Sequence, residues 1–259
     1  MRKVKAKNWN RKIAVNCALC QSNSSLLNSH ILPEFFYTQL YDKIHRFQVV
    51  PIDPSESERS RQKGVHEKLL CGTCEQKFAR WEKYAKEAFG DGSGIKIERN
   101  GKILKLSNLN YRMFRLFLLS LLWRMGVSKL DFFSLTNLGS KHHEILRQTL
   151  LNEDPLEPLQ YPCLMSAVYI NGKFHTDCIL QSVHNKSGSY HCHCVVINGI
   201  LFCFYVASHS PPAIFADVCI SRKNEMSIFV GEIKEIPFLA EYASNLGKAI
   251  RLRRQPEKR

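Results

Sequence analysis

Long apolar runs are missing from this chain. The most apolar stretch, Leu116 to Trp123, falls far short of the roughly 20 residues a bilayer-spanning helix needs, so no membrane partner is expected. The start is polar and basic. It carries neither the apolar segment nor the small-residue cleavage site of a secretory signal. No repeat recurs at a fixed period. The second half has no glycine-rich phosphate loop and no nucleophile elbow, which speaks against a P-loop or hydrolase chemistry there. Acid is almost absent from both ends. Residues 2–12 hold Arg2, Lys3, Lys5, Lys7, Arg11 and Lys12 with no carboxylate, and residues 248–259 hold six cations against Glu257.

Those two ends supply +11 of the net charge of +14, leaving the body nearly neutral. Basic arms of this kind suit contact with a phosphate backbone without reading of bases, or serve only solubility. The chain has 259 residues, of which 44% are apolar and 23% charged, enough for a packed core in one large or two modest domains. Ten cysteines in a chain without a secretory signal point to a cytoplasmic protein with reduced thiols, where paired Cys-x-x-Cys units act as metal ligands.

Two such pairs stand out, Cys17-Ala-Leu-Cys20 and Cys71-Gly-Thr-Cys74. Each presents two sulfurs through a tight turn, and four thiolates satisfy the tetrahedral preference of zinc. Gly72 eases the second turn. The fifty residues between the pairs hold a strand over Leu26–Leu32, a helix over Glu34–Arg46 and a polar loop over Pro51–Gly64. A helix over Glu75–Phe89 follows, stopped by Gly90-Asp91-Gly92.

The expected architecture is α+β. Residues 1–92 form a zinc-binding domain. Residues 93–259 form a helical segment and an antiparallel, strand-rich module with a basic tail. In that second part Asn100-Gly101, Asn171-Gly172 and Asn198-Gly199 signal tight hairpins. Asn110–Val127 reads as an apolar core helix, and 141–151 as a further helix. Strands are expected over 165–170, 174–180, 189–197, 201–206, 215–220 and 225–229, before an apolar helix over 238–246. His191-Cys192-His193-Cys194 looks like a metal cluster. On a strand, however, its two His share one face and its two Cys the other, so one ion cannot gather all four. Cys163, Cys178, Cys203 and Cys219 read as buried thiols in apolar strands. His142-His143 sits near a helix start without an obvious partner.

Ser29-His30-Ile31-Leu32-Pro33 lies between the knuckles, and Leu69-Leu70-Cys71-Gly72-Thr73-Cys74-Glu75 contains the second. In these stretches, over roughly residues 14–90, the chain resembles the HNH endonuclease superfamily, a ββα-metal fold in which paired Cys-x-x-Cys units bracket an Asp-His-Ile-Ile-Pro-like strand. It is similar also to a bacterial branch with Ser-His-Ile-Ile-Pro and Cys-Glu-Gln-x-Phe-x-x-Trp-Glu motifs, the latter standing here as Cys74 to Glu82. The resemblance implies a metal-dependent endonuclease acting on DNA, or less readily RNA, in a context such as phage defence.

His30 would be the general base, since a neutral imidazole takes a proton from water near pH 7. Ser29, Glu75 and Glu82 would hold a catalytic Mg²⁺ or Mn²⁺. Ser29 stands where the family usually has Asp, and Glu75 where it often has a metal-binding His. No residue clearly supplies the family's middle Asn, although Asn28 is close. Lys77, Arg80 and Lys83 could meet phosphate, whereas Trp81 reads as core. The reading kept beside this one is a non-catalytic zinc-binding adaptor for nucleic acid or protein. The second module is left as a site for a small ligand, a protein partner or a second copy of the chain.

Overall fold

The computed structural model describes residues 16–49, 58–90, 94–187, 190–236, 239–241 and 244. Both basic arms lie outside the described residues, as do residues 51–57 of the expected 51–64 loop and much of the expected 238–246 helix. No helix among the described residues is long and apolar enough to cross a membrane.

The fold is mixed α+β with a large, mostly antiparallel sheet. In the first part β1 (Leu26–His30) pairs antiparallel with β4 (His66–Cys71), and His30 stands opposite His66. Helix α1 (Gly72–Phe89) starts directly from the end of β4, with Cys71 as its N-cap. A small ribbon of β2 (Phe47–Val49) and β3 (Arg59–Arg61) lies between β1 and β4 in the chain.

The expected helix over 34–46 is not formed. A single 3-10 turn covers Glu34–Phe36, and the chain then turns back at Asp42. The Asp42 carboxylate accepts from the backbone N–H of Ile44 and Arg46, and His45 adopts a left-handed φ of 58°. A short acidic side chain that captures nearby N–H groups favours a turn over helix continuation. The expected loop over 51–64 likewise contributes β3.

In the second part β5 (Lys96–Asn100) and β6 (Ile103–Ser107) form the hairpin that Asn100-Gly101 predicts. Helices α2 (Tyr111–Val127) and α3 (Gly139–Leu151) follow. Asn110 caps α2, its side chain accepting from the N–H of Met113. The remaining strands are β7 (Cys163–Ile170), β8 (Lys173–Phe174), β9 (Ile179–Ser187), β10 (Tyr190–Ile197), β11 (Ile200–Val206) and β12 (Met226–Glu232). The sheet order is β5-β6-β12-β7-β11-β10-β9, with β8 added to β7.

All these neighbours are antiparallel except β12 and β7, which run parallel. The strand expected over 174–180 is broken, β8 ending at Phe174 and β9 starting at Ile179. The strand expected over 215–220 is instead a short helix, α4 (Phe215–Val218). Pro211 and Pro212 precede it, and the N–H of Phe215 bonds the Pro212 carbonyl, so the turn overrides the strand-like composition. Gly199 cannot carry a side chain: its φ is +76°, and a Cβ would lie 2.6 Å from the Phe174 ring.

The period-two pattern of β10 and β11 splits the sheet into two faces. Val195, Ile197, Phe202 and Phe204 face the helices, while Cys192, Cys194, Leu201 and Cys203 face a smaller cluster with Val168 and Leu239. Cys163 and Cys219 are buried as expected, and Cys178 is half-buried.

The larger core is continuous from Leu19 and Leu32 through Phe78 and Trp81 to Trp123, Leu150 and Phe204. Helix α2 is apolar almost all round and sits at its centre, against both α1 and α3. Two buried arginines on α2 mark where polar groups enter. Arg115 donates to the carbonyls of Tyr161 and Gln160. Arg124, only 2% exposed, reaches across to the first part of the chain.

Arg124 ties the parts together. Its Nη1 donates to Glu82 Oε1 at 2.5 Å and to the His30 carbonyl at 2.8 Å, and its guanidinium lies over the Phe78 ring. Removing Arg124 leaves the partly exposed Glu82 carboxylate unpaired and the His30 carbonyl without its donor. Arg124→Ala is therefore expected to lower unfolding stability by about 1–3 kcal/mol. Chemical denaturation checks this, and a loss under about 1 kcal/mol would contradict the pairing.

Candidate functional site

The two knuckles close on each other because β4 delivers the second beside the first. The N–H of Ala18 bonds the Leu69 carbonyl, and the N–H of Cys71 donates to Cys17 Sγ at 3.3 Å. The first knuckle is held by Gln21, with a φ of 60°, and by a bond from the Cys17 N–H to the Ser22 carbonyl. The four sulfurs of Cys17, Cys20, Cys71 and Cys74 lie within 4.8 Å of one another, and three of these residues are buried. They come from opposite ends of a fifty-residue excursion, so their convergence is a tertiary feature and not a consequence of spacing.

The electrostatics suit a cation. Burial raises the Cys17 and Cys74 thiols, the expected penalty on packed sulfurs with no positive partner. At Cys20 burial also pushes upward, but hydrogen bonding from Ser22 outweighs it and brings the thiol down to about 6. Cys71 and Cys74 open helix α1, where the helix dipole favours thiolate. Beneath the first knuckle the buried Arg147 of α3 donates to the Leu19 carbonyl and pairs with Glu144. The donor set and its geometry fit a structural metal ion, and four thiolates are the ligand set zinc favours.

His30 stands at the end of β1 with its side chain 34% exposed. Its Nε2 lies 2.8 Å from Glu34 Oε2, and Glu34 Oε1 accepts from the Tyr41 hydroxyl at 2.6 Å. His66 faces it across the hairpin with the ring centroids 5.9 Å apart. The Nδ1–H of His66 donates to the Gly64 carbonyl, which leaves its Nε2 as the free nitrogen. Glu34, Tyr41 and His66 are the residues of this corner that sequence reasoning missed.

The expected ligands of a catalytic ion are not gathered at His30. Ser29 is buried, and its Oγ accepts from the N–H of Leu70. Glu82 is ion-paired with Arg124. Glu75 lies in the first turn of α1 with a buried, unpartnered Oε1. Among the described residues the four cysteines are the only group of three or more His, Cys, Asp or Glu ligand atoms that converges within 4.8 Å. Asn28 is exposed on β1.

Of the helix cations expected to meet phosphate, Lys77 and Arg80 are both used by Glu153, and Lys77 also donates to the Leu151 carbonyl. Lys83 is exposed, and Trp81 is fully buried. His142 has a partner after all, its Nδ1 lying 2.9 Å from the Tyr161 hydroxyl.

Fold and site together define an α+β protein with a four-cysteine cluster that could hold a metal ion. Compared with known proteins, the chain matches no family model, no curated protein and no solved structure.

Proposed function

We propose that the protein is an HNH-like endonuclease that hydrolyses phosphodiester bonds in DNA, with zinc held by the four cysteines as its structural ion. One observation carries this reading: a half-exposed imidazole, His30, ends the strand that enters the zinc-framed hairpin and is backed by a carboxylate at 2.8 Å. That is the arrangement a general base requires. The Glu34 carboxylate, close to Nε2, would stabilise the imidazolium, so that Nδ1 takes the proton from the attacking water. The Tyr41 hydroxyl holds Glu34 in turn.

The exposed cations Arg59, Arg61, Lys63 and Lys68 flank the hairpin and supply a polyanion with counter-charge. The basic arms extend the same reading, in which DNA is the preferred partner, a cytoplasmic setting is assumed and phage defence is one context. A bound Mg²⁺ or Mn²⁺ would supply charge stabilisation on the scissile phosphate. Ser29, Glu75 and Glu82 do not fit as its ligand set, so no step is routed through it.

That misfit favours a second reading, a zinc-binding adaptor for nucleic acid or protein in which His30 and Glu34 are a surface pair. Plasmid incubation with Mg²⁺ or Mn²⁺ separates the two. Cleavage by the wild type and none by His30→Ala supports the enzyme. Equal cleavage by both exposes a contaminant. No cleavage by either supports the adaptor.

A further inference from the structure

One cluster of imidazoles lies outside this site. His184 on β9 stands directly opposite His193 on β10, and His191 lies two residues from His193 on the same face. Nε2 of His184 is 2.9 Å from Nδ1 of His191, and the ring centroids of His184 and His193 are 5.0 Å apart. His184 and His191 are exposed at the mouth, whereas His193 forms the base and is 1% exposed.

His193 is the anomaly. Neither of its buried ring nitrogens makes a well-aligned hydrogen bond, and the Leu135 backbone offers the ring only a weaker contact. Burying such a group without partners costs free energy, and native interiors almost always avoid it. The next polar residue on the same face shows the usual arrangement. Ser182, fully buried, donates to the Phe132 carbonyl and accepts from Thr136.

We propose that His184, His191 and His193 form a second metal site, one that takes a divalent transition ion such as Zn²⁺, Co²⁺ or Ni²⁺ through three imidazole nitrogens. Two of the nitrogens already stand as adjacent ligands do. The His193 ring has to turn to bring its nitrogen to the same ion, because these atoms do not all converge within 4.8 Å. Lys186 adds positive charge beside His184, which disfavours Mg²⁺ or Ca²⁺, ions that need anionic oxygens. Imidazole bonds borderline ions without added charge. The exposed mouth leaves coordination positions to water or a ligand, the pattern of an open and not a purely structural site. The cysteines between these histidines take no part, since Cys192 and Cys194 face the opposite side of the sheet.

Co²⁺ titration of the full-length chain, stripped of metal and refolded by the first equivalent, tests the site independently of any nuclease activity. The first equivalent fills the cysteines and gives intense thiolate charge-transfer bands. A second equivalent is expected to add weak d–d bands without further thiolate absorption. His184→Gln and His193→Gln should each lose that second equivalent and keep the first, which also reports that the variant is folded. If His193→Gln does not retain the first, His184→Gln at the exposed mouth decides alone. Saturation at one equivalent in the wild type overturns the proposal, and so does a second equivalent that survives in His184→Gln or carries thiolate bands.

Discussion

Replacing Cys71 with serine is expected to cost the protein its metal and its fold together. Zinc bound by four thiolates contributes about 10–16 kcal/mol in small metal-folded units. Net stability of a whole domain is about 5–15 kcal/mol. Losing most of the first term is comparable with the whole of the second. Here the loss is also poorly buffered. Cys71 is at once a ligand, the last residue of β4, the N-cap of α1 and the donor of an N–H to Cys17.

Zinc content by elemental analysis should fall from one ion per chain at the cysteine site to none. The soluble fraction should fall with it, and far-UV dichroism should show lost helix. Acid should mimic the substitution, because ligands must be deprotonated to bind and falling pH therefore releases the ion. A soluble Cys71→Ser protein with unaltered dichroism would mean that the apolar core around Phe78 and Trp81 suffices without the metal.

The parts of this centre that were legible in the sequence were those encoded locally. Two Cys-x-x-Cys turns announce their sulfurs whatever lies between them, and the asparagine-glycine pairs fixed hairpins. At Asn171-Gly172 and Asn198-Gly199 both residues adopt positive φ. What escaped was set by distant chain. Arg124 sits on an apolar helix, where its charge looks like an interruption, and its partners Glu82 and the His30 carbonyl are 42 and 94 residues away.

Glu34 escaped for a different reason. Four residues beyond His30 and just after Pro33, it read as the start of a helix. The 3-10 turn instead swings its carboxylate back onto the imidazole. Phe215 to Ile220 has the aromatic and β-branched composition of a strand, but the two prolines ahead of it decided the backbone. His184 escaped because its relation to His191 and His193 depends on the register of β9 against β10, which includes an irregularity between Cys194 and Val196.

His30→Ala is expected to lower the rate of plasmid cleavage by about 10²–10⁴-fold, the usual worth of a positioned general base. The same substitution should leave zinc content and thermal stability nearly unchanged. The side chain is partly exposed, and the His30 atom that Arg124 bonds is the backbone carbonyl, which alanine keeps. Glu34→Gln separates a working dyad from a surface contact. The amide keeps the size of the carboxylate but removes the charge that stabilises an imidazolium. If His30 takes a proton during turnover, Glu34→Gln should therefore lower kcat severalfold or more with KM for plasmid little changed. Arg61→Ala and Lys68→Ala, by contrast, should raise KM and weaken its dependence on salt, because they act on the phosphate backbone and not on the proton. A Glu34→Gln enzyme with wild-type kcat would remove the dyad, and a folded, zinc-loaded His30→Ala protein with full activity would remove the nuclease assignment of this corner altogether.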